Sequence, residues 1–400
     1  MEDSHQHTDV SVEDAFDIVL KHLYQPKIET CLLSESLNRV LAENIKADRD
    51  FPPFNRVAMD GICIRFKEFG KGIRKYKILG IQSAGSEQLS LPEGEYALEV
   101  MTGASLPINA DTVIRYEDLE ITNDEVIISI EDVRHGQNVH TKGLDRKEAD
   151  VLLKSPKQIT AADIGVLATV GISRVPVFSN PKIAVISTGD ELVAVHETPL
   201  PHQIRKSNVY SLEALMRSLG LEVKHHHIKD DKKSIEDTVS SALESYDVVL
   251  FSGAVSKGKF DFLPDVLANL NVVQHFHRVQ QRPGKPFWFG TRAETTVFAF
   301  PGNPVSTYVC AKRFLIPWVR KSFGLELNNQ MAELSADIEF KPKLQYFVPV
   351  GLTWNKATLI ATAMPGHGSG DLANLSDADG LIELPANETL HPKGGVYPIW

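Results

Sequence analysis

Apolar residues keep helical spacing in only a few windows of this chain. Behind Ser11 they recur at Ala15, Phe16, Val19, Leu20 and Leu23, with Asp14 at capping-box distance, which predicts a helix over about residues 12–22. From there to about residue 139, short apolar runs such as "YKILGI", "EYALEVMTG", "DTVIRY" and "EVIISI" are separated by turns rich in Gly, Pro, Asn and Asp. That spacing predicts β-rich structure without a strong helix. A helix returns at "TAADIGVLATVGI".

The pattern then changes character. "KIAVISTG", "LEVKHHHI", "DVVLFSG" and "VFAFPGN" read as strands. "SNVYSLEALMRSLG", "KKSIEDTVSSALES", "DFLPDVLANL" and "PVSTYVCAKRFLIPWVRKSF" read as helices, the first capped at its start and closed by Gly220, the last a single long one. Strands alternating with helices predict a parallel sheet with crossover helices. Beyond them "YFVPVGLTW" and "ATLIATA" return to short strands. The expected fold is therefore multidomain α/β: a central three-layer α/β/α parallel-sheet domain, β-rich N-terminal domains and a small C-terminal β domain. The expected boundaries are 1–47 with 141–176 as a discontinuous mixed domain, 48–140 as an inserted β-rich domain, 177–325 as the α/β domain, and 326–400.

Composition narrows the function more than the fold. At 400 residues, 42% of them hydrophobic, the chain can bury several cores. Its 42 basic against 52 acidic residues give a net charge of −10, which argues against a nucleic-acid partner, though local Arg and Lys can still hold a small anion. Cys31, Cys63 and Cys310 form no metal-type spacing and are expected as buried reduced thiols. The acidic start is no signal peptide, and no apolar run is long enough to span a bilayer, so a cytoplasmic protein without a membrane partner is expected.

In an open parallel sheet, ligands sit beyond the carboxyl ends of the strands. Four loops fall there: "STGDEL", "IKDDKK", "SGAVSKGKFD" and "PGNPVS". Their small residues let backbone approach a ligand, their serines offer hydroxyls, and Lys257 and Lys259 offer charge, a combination suited to phosphate. "HRVQQRPGKPFWFG" adds Arg278, Arg282 and Lys285 around a rigid turn, which suits anion binding. Asp190, Glu191, Asp230 and Asp261 would converge on the same edge, where carboxylates beside phosphate donors suggest Mg²⁺. His225, His226 and His227 alternate across a strand and are read as structural. No Walker A or dinucleotide fingerprint follows a strand.

These segments resemble the molybdopterin molybdenumtransferase (MoeA) family, which includes the E domains of gephyrin-type proteins. The resemblance rests on "AMDG", "MTGASLP" with "ADTVIRYED", "STGDEL", "SNVYSLEALMRSLG", "SGAVSKGKFD", "RPGKPFWFG", "FPGNPVS" and "GHGSGDLANLSDADGLIELP", and it covers nearly the whole chain. It implies a MogA-like central domain and the last step of molybdenum cofactor assembly. Adenylylated molybdopterin binds, AMP leaves by cleavage of the pyrophosphate bond, and molybdate is inserted at the dithiolene sulfurs with Mg²⁺ assisting.

Carried over residue by residue, the resemblance implies that Asp60 and Thr102 line the cleft from the β-rich part. Asp145, Asp190, Glu191, Asp230 and Asp261 form the acidic set, the last four as metal ligands. Ser187, Thr188, Gly189, Ser252, Gly253, Ser256, Lys257, Pro301, Gly302, Asn303, Pro304 and Ser306 hold the substrate. Arg278, Arg282 and Lys285 clamp its anions. The implied assembly is a homodimer, with an adenylyltransferase and molybdoenzyme chaperones as further partners. This chain departs from the family pattern at Ala254, at His140 to Leu144, and at Asn55-Arg56-Val57. An adenylyltransferase acting on molybdopterin and a non-catalytic molybdopterin-binding scaffold stay open as alternatives.

Overall fold

A computed structural model describes residues 9–228, 231–253, 262–364, 366–368 and 370–400. The chain divides into two compact units, one comprising 1–42, 156–164 and 174–400, the other 43–155 and 165–173.

In the larger unit the central sheet runs Val223–Ile228, Ile183–Thr188, Val248–Ser252, Thr295–Phe300, Trp288–Arg292, Val273–Phe276 in spatial order. Its first four strands are parallel, as expected, but Trp288–Arg292 runs antiparallel to both its neighbours, so the sheet is mixed. The cause is the connection between Arg292 and Thr295. Only Ala293 and Glu294 join those strands, and so short a loop permits only a hairpin. The turn was hidden because neither residue is a usual turn former.

Alternation along the central strand builds the three layers. Val248 and Leu250 pack into one core with helices Val12–Lys21, Asn208–Ser218 and Pro304–Cys310. Val249 and Phe251 pack into the other with Lys232–Ser245 and Leu263–Asn269. Every residue of Val248–Ser252 is buried, which explains its unbroken apolar run. The first core is aromatic: Phe287 lies 4.9 Å from Phe314, and Phe298 5.4 Å from Trp318, ring centre to ring centre. Such pairs add about 0.5–1.5 kcal/mol each beyond the area they bury.

The helix at the N-terminal end is capped as expected, Ser11 Oγ accepting the Asp14 N–H at 2.9 Å. The long helix after Pro304 is not uniform. Ala311–Leu315 is wound as a π-helix between two α-helical stretches. Pro317 has no N–H to offer the Arg313 carbonyl, and the wider turn accommodates the missing bond. The helix Asn208–Ser218 also starts without its expected serine cap: Ser207 makes no capping bond.

The C-terminal strands form a six-stranded sheet in the order Gln281–Arg282, Gln345–Asn355, Thr358–Ala363, Gln330–Leu334, Val396–Ile399, Gly380–Leu384. Pairing of Gln345–Asn355 with Gly380–Leu384 closes it into a barrel. Gln281–Arg282 belongs to this sheet, although it comes from the α/β stretch of the chain.

The smaller unit is built on a six-stranded sheet, Thr112–Arg115, Gly61–Ile64, Tyr96–Val100, Lys75–Gln82, Glu125–Ile128, Leu119–Thr122. Its one short helix in the expected all-β stretch is Phe66–Gly70. Gly61 of "AMDG" faces the neighbouring strand so closely that a Cβ would stand 1.9 Å from the Ile114 carbonyl oxygen. All three cysteines are buried and unbridged, as expected, and burial pushes the Cys63 thiol up to about 12.

A pair of stacked imidazoles in the larger unit carries a pH dependence. His22 and His275 lie 4.0 Å apart, and burial lowers both pKa values, helped by Lys21 at His22 and by His22 at His275. Their neutral forms are favoured in the folded state, so the unfolded chain binds more protons as pH falls below the usual imidazole value of about 6.5. Their contribution is complete above that pH and lost as pH falls through the lowered folded values. Thermal melts from pH 7.5 to 5 are expected to show wild-type Tm falling more steeply than that of His275→Gln. Parallel curves would remove the pair as the cause.

Candidate functional site

The carboxyl ends of the four parallel strands bring most of the expected loop residues together. A cleft of about 140 Å³ is lined by Ser187, Thr188, Glu191, Ser252, Gly253, Gly302, Asn303 and Pro304. Gly189 follows Thr188 in the chain and turns it toward Glu191. It has φ +131°, and a Cβ there would meet the Glu191 carboxylate at 2.6 Å, so glycine is required for the strand to turn out beside Glu191. Ser187 is buried with its hydroxyl 2.9 Å from His227 Nδ1. His225 meets Glu213 at 3.1 Å and His226 meets the Tyr246 hydroxyl at 3.0 Å, so all three histidines have structural partners, as expected.

Asn208 and the cations Arg205 and Lys206 also line this cleft and were missed in the sequence. Asn208 Nδ2 donates to Ser252 Oγ at 2.9 Å, the Gly302 carbonyl at 2.8 Å and Thr307 Oγ1 at 3.3 Å. One amide thus ties two of the strand-end loops to the helix that follows. Its signal was the Ser-Asn at the start of "SNVYS", which was read as a cap.

A larger cavity of about 690 Å³ is lined by Arg282, Lys285, Pro301, Asn303 and Ser306, with Tyr346, His367, Asp371 and Asn374 facing them from the C-terminal part. Asn303 lines both spaces. Arg282 is carried on the barrel strand with its guanidinium 5.9 Å from the Phe340 ring centre. Asp371 accepts the backbone N–H groups of His367 and Asn374, which hold its carboxyl below the usual range. "GHGSGDLAN" thus contributes to the cavity, although none of its residues was a candidate.

Arg278 does not line either space. Its Nε lies 3.3 Å from Asp9 Oδ1, and Lys285 Nζ lies 2.5 Å from Asp9 Oδ2. Two of the three expected clamp cations therefore share one carboxylate. Nothing in the sequence pattern around Asp9 signalled this.

The acidic set is only partly assembled. Asp190 and Glu191 are exposed at the end of Ile183–Thr188, while Asp230, Asp261, Ser256, Lys257, Lys259 and Ala254 lie outside the described residues. Among the described residues no group of three His, Cys, Asp or Glu side chains could hold a metal ion. Asp190 and Glu191, the two expected ligands among the described residues, do not by themselves make a Mg²⁺ site.

In the smaller unit Asp60 and Thr102, both expected to line the cleft, bond each other. Asp60 Oδ1 accepts from the Thr102 N–H at 2.6 Å and from Thr102 Oγ1 at 2.9 Å, and these bonds hold the exposed Asp60 carboxyl below its usual range. Asp145 is exposed on a loop whose backbone N–H bonds the Phe51 carbonyl at 2.9 Å. No hydrogen bond or ion pair joins it to Asp60 among the described residues. Two of the departures from the family pattern face each other. Arg56 pairs with His140 across two short strands, and its Nη2 lies 3.1 Å from His140 Nδ1. A guanidinium can only donate, so His140 accepts at Nδ1. Asn55 Oδ1 takes the Lys142 N–H at 2.9 Å, so the altered residues knit their own two segments together.

A three-layer domain that opens polar loops and cations at one sheet edge is the architecture of a protein that binds an anionic ligand there. Residues 184–321 match the family described as a probable molybdopterin binding domain. Residues 10–171 match the MoeA N-terminal region (domain I and II), and 331–395 the MoeA C-terminal region (domain IV). A molybdopterin molybdenumtransferase of Synechocystis is 38% identical over 396 residues, covering 98% of this chain and 99% of that one. One of Nostoc is 30% identical, covering 95% and 90%. Two solved structures of a molybdopterin biosynthesis MoeA protein from Pyrococcus horikoshii give TM-scores of 0.82 and 0.83 at 30% and 26% identity. Each covers 98% of this chain, and 98% and 100% of those chains. The chain belongs to the molybdopterin molybdenumtransferase (MoeA) family.

Proposed function

We propose that this chain is a transferase of molybdenum cofactor biosynthesis that inserts molybdenum into molybdopterin. Adenylylated molybdopterin is the immediate substrate, molybdate the co-substrate and AMP the leaving product. The observation that carries this reading is the placement of Arg282, Lys285 and Ser306 on one cavity that shares Asn303 with the strand-end cleft. Such a pair of spaces suits a ligand with an anionic end and a second oxyanion beside it.

In this reading Arg282 gives two parallel N–H donors to an oxyanion and Lys285 a point charge. Gly253 and Gly302 let the ligand approach the backbone, and Asn208 keeps both loops in register beneath it. Asp60, fixed by Thr102, presents its second carboxylate oxygen outward. Mg²⁺ as the assisting cation, Asp190, Glu191, Asp230 and Asp261 as its ligands, and the roles of Asp145, Ser256 and Lys257 come from the family resemblance. So do the homodimer and the adenylyltransferase and chaperone partners. No helix among the described residues is long and apolar enough to cross a membrane.

Purified protein incubated with adenylylated molybdopterin, molybdate and Mg²⁺ is expected to release AMP only when molybdate is present. Pyrophosphate release from ATP and molybdopterin would instead make it an adenylyltransferase, and tight binding without AMP would leave a scaffold. Arg282→Ala is expected to weaken substrate binding about tenfold, with a salt-sensitive loss, because one charge-assisted contact is worth about 1.5–3 kcal/mol. Unchanged affinity would remove Arg282 from the site.

A further inference from the structure

We infer that Asp9 is a specificity-determining residue, a built-in counter-charge that weakens the capture of small free oxyanions in the Arg282–Lys285 cavity. The inference rests on the reading of that cavity as an anion site. Asp9 is held through its own carbonyl and the residue that follows it. The Val10 N–H donates to the Arg278 carbonyl at 3.0 Å, the Gln280 N–H to the Val10 carbonyl at 2.8 Å, and Gln280 Nε2 to the Asp9 carbonyl at 3.1 Å. The short bridge between Val10 and Val279 thus fixes where the carboxylate stands.

From that position the Asp9 carboxylate forms ion pairs with two cations, at Arg278 Nε and Lys285 Nζ. The three side chains keep only 23%, 30% and 35% of their surface exposed, so screening by solvent is reduced. Lys285 is the member that also lines the cavity. An oxyanion arriving there meets an ammonium already partly neutralised, while Arg282 has no ion pair among the described residues. A small anion that depends on Lys285 alone loses most from this. A large ligand with pterin and nucleotide contacts loses proportionately little. The counter-charge therefore favours the extended ligand over free phosphate or sulfate.

The test is calorimetric binding of inorganic phosphate at three salt concentrations, using the full chain as wild type, Asp9→Asn, Asp9→Glu and Arg282→Ala. Asp9→Asn keeps the size and much of the hydrogen bonding, and its fold is checked by thermal melting. It is expected to bind phosphate about fivefold more tightly, with a steeper salt dependence, the size expected from releasing a partly exposed ion pair. Asp9→Glu is expected to stay close to wild type. Equal or weaker affinity in Asp9→Asn, or no binding by either protein, overturns the inference and leaves Asp9 a structural latch. Arg282→Ala separates the two readings. If it binds phosphate as wild type does, the anion site itself is wrong. If it binds worse while Asp9→Asn is unchanged, only the role of Asp9 fails.

Discussion

Glu383→Ala is expected to cost about 3–5 kcal/mol of stability, measured by urea unfolding. Arg313 and Glu383 retain only 8% and 4% of their side-chain exposure, and Arg313 Nε donates to Glu383 Oε2 at 3.0 Å. The carboxylate also accepts Gln345 Nε2 at 2.8 Å and Trp400 Nε1 at 2.5 Å. The guanidinium lies against two rings, 4.3 Å from Phe16 and 4.4 Å from Trp400. Its Nη1 is buried without a hydrogen-bond partner. Removing the carboxylate leaves a desolvated cation without this counter-ion and strands the Trp400 indole N–H, while Gln345 Nε2 keeps only its longer bond to Glu13 Oε1 at 3.3 Å. The double variant Arg313→Met with Glu383→Leu is expected to lose far less, because the pair's mutual attraction mostly offsets its own desolvation. A loss below about 1 kcal/mol in Glu383→Ala would mean that water reaches the pair.

Asp60→Ala is expected to lower the rate of AMP release by about 10²–10³-fold, a size usual for a positioned acid–base or charge-stabilising group. The side chain is exposed and packs nothing, so Tm should stay within a degree or two of wild type. Thr102→Ala removes one of the two bonds that fix the carboxylate and leaves the backbone N–H, so an intermediate loss is expected. Asp60→Asn keeps a carbonyl for Thr102 while removing the charge, and should resemble the alanine variant if the charge matters. A rate in Asp60→Ala above about a third of wild type would take Asp60 out of the chemistry.

The features legible in the sequence are those set by near neighbours in the chain. Val248–Ser252 is buried on both faces and reads as an unbroken apolar run, and Lys232–Ser245 matches its stretch of helical spacing end to end. The loops at the strand ends followed from those strands, and Ser252, Gly302 and Asn303 lie together as a result. What stayed hidden depends on partners far along the chain. Asp9 meets Lys285, and Asn208 reaches Gly302, with no local pattern marking either contact. The antiparallel strand of the central sheet turned on an Ala-Glu loop that lacks the usual residues. Asp60 and Thr102 became candidates only through the family motifs, and their bond to each other has no local signal, since neither periodicity nor charge links positions so far apart.

The strand Gln281–Arg282 has a consequence for how this protein can be taken apart. Between two strands of the central sheet the chain leaves that sheet, lends two residues to the barrel, and returns. A gene cut at the apparent end of the α/β segment, near Leu325, would not separate two modules. It would strip Gln281–Arg282 of Gln345–Asn355, the strand it pairs with, and bare a backbone edge that, in a fragment, invites pairing with other copies. Recombination, fusion or truncation can therefore trade the barrel only together with the turn at Arg282. The turn at Arg282 and the barrel behind it are inherited as one piece.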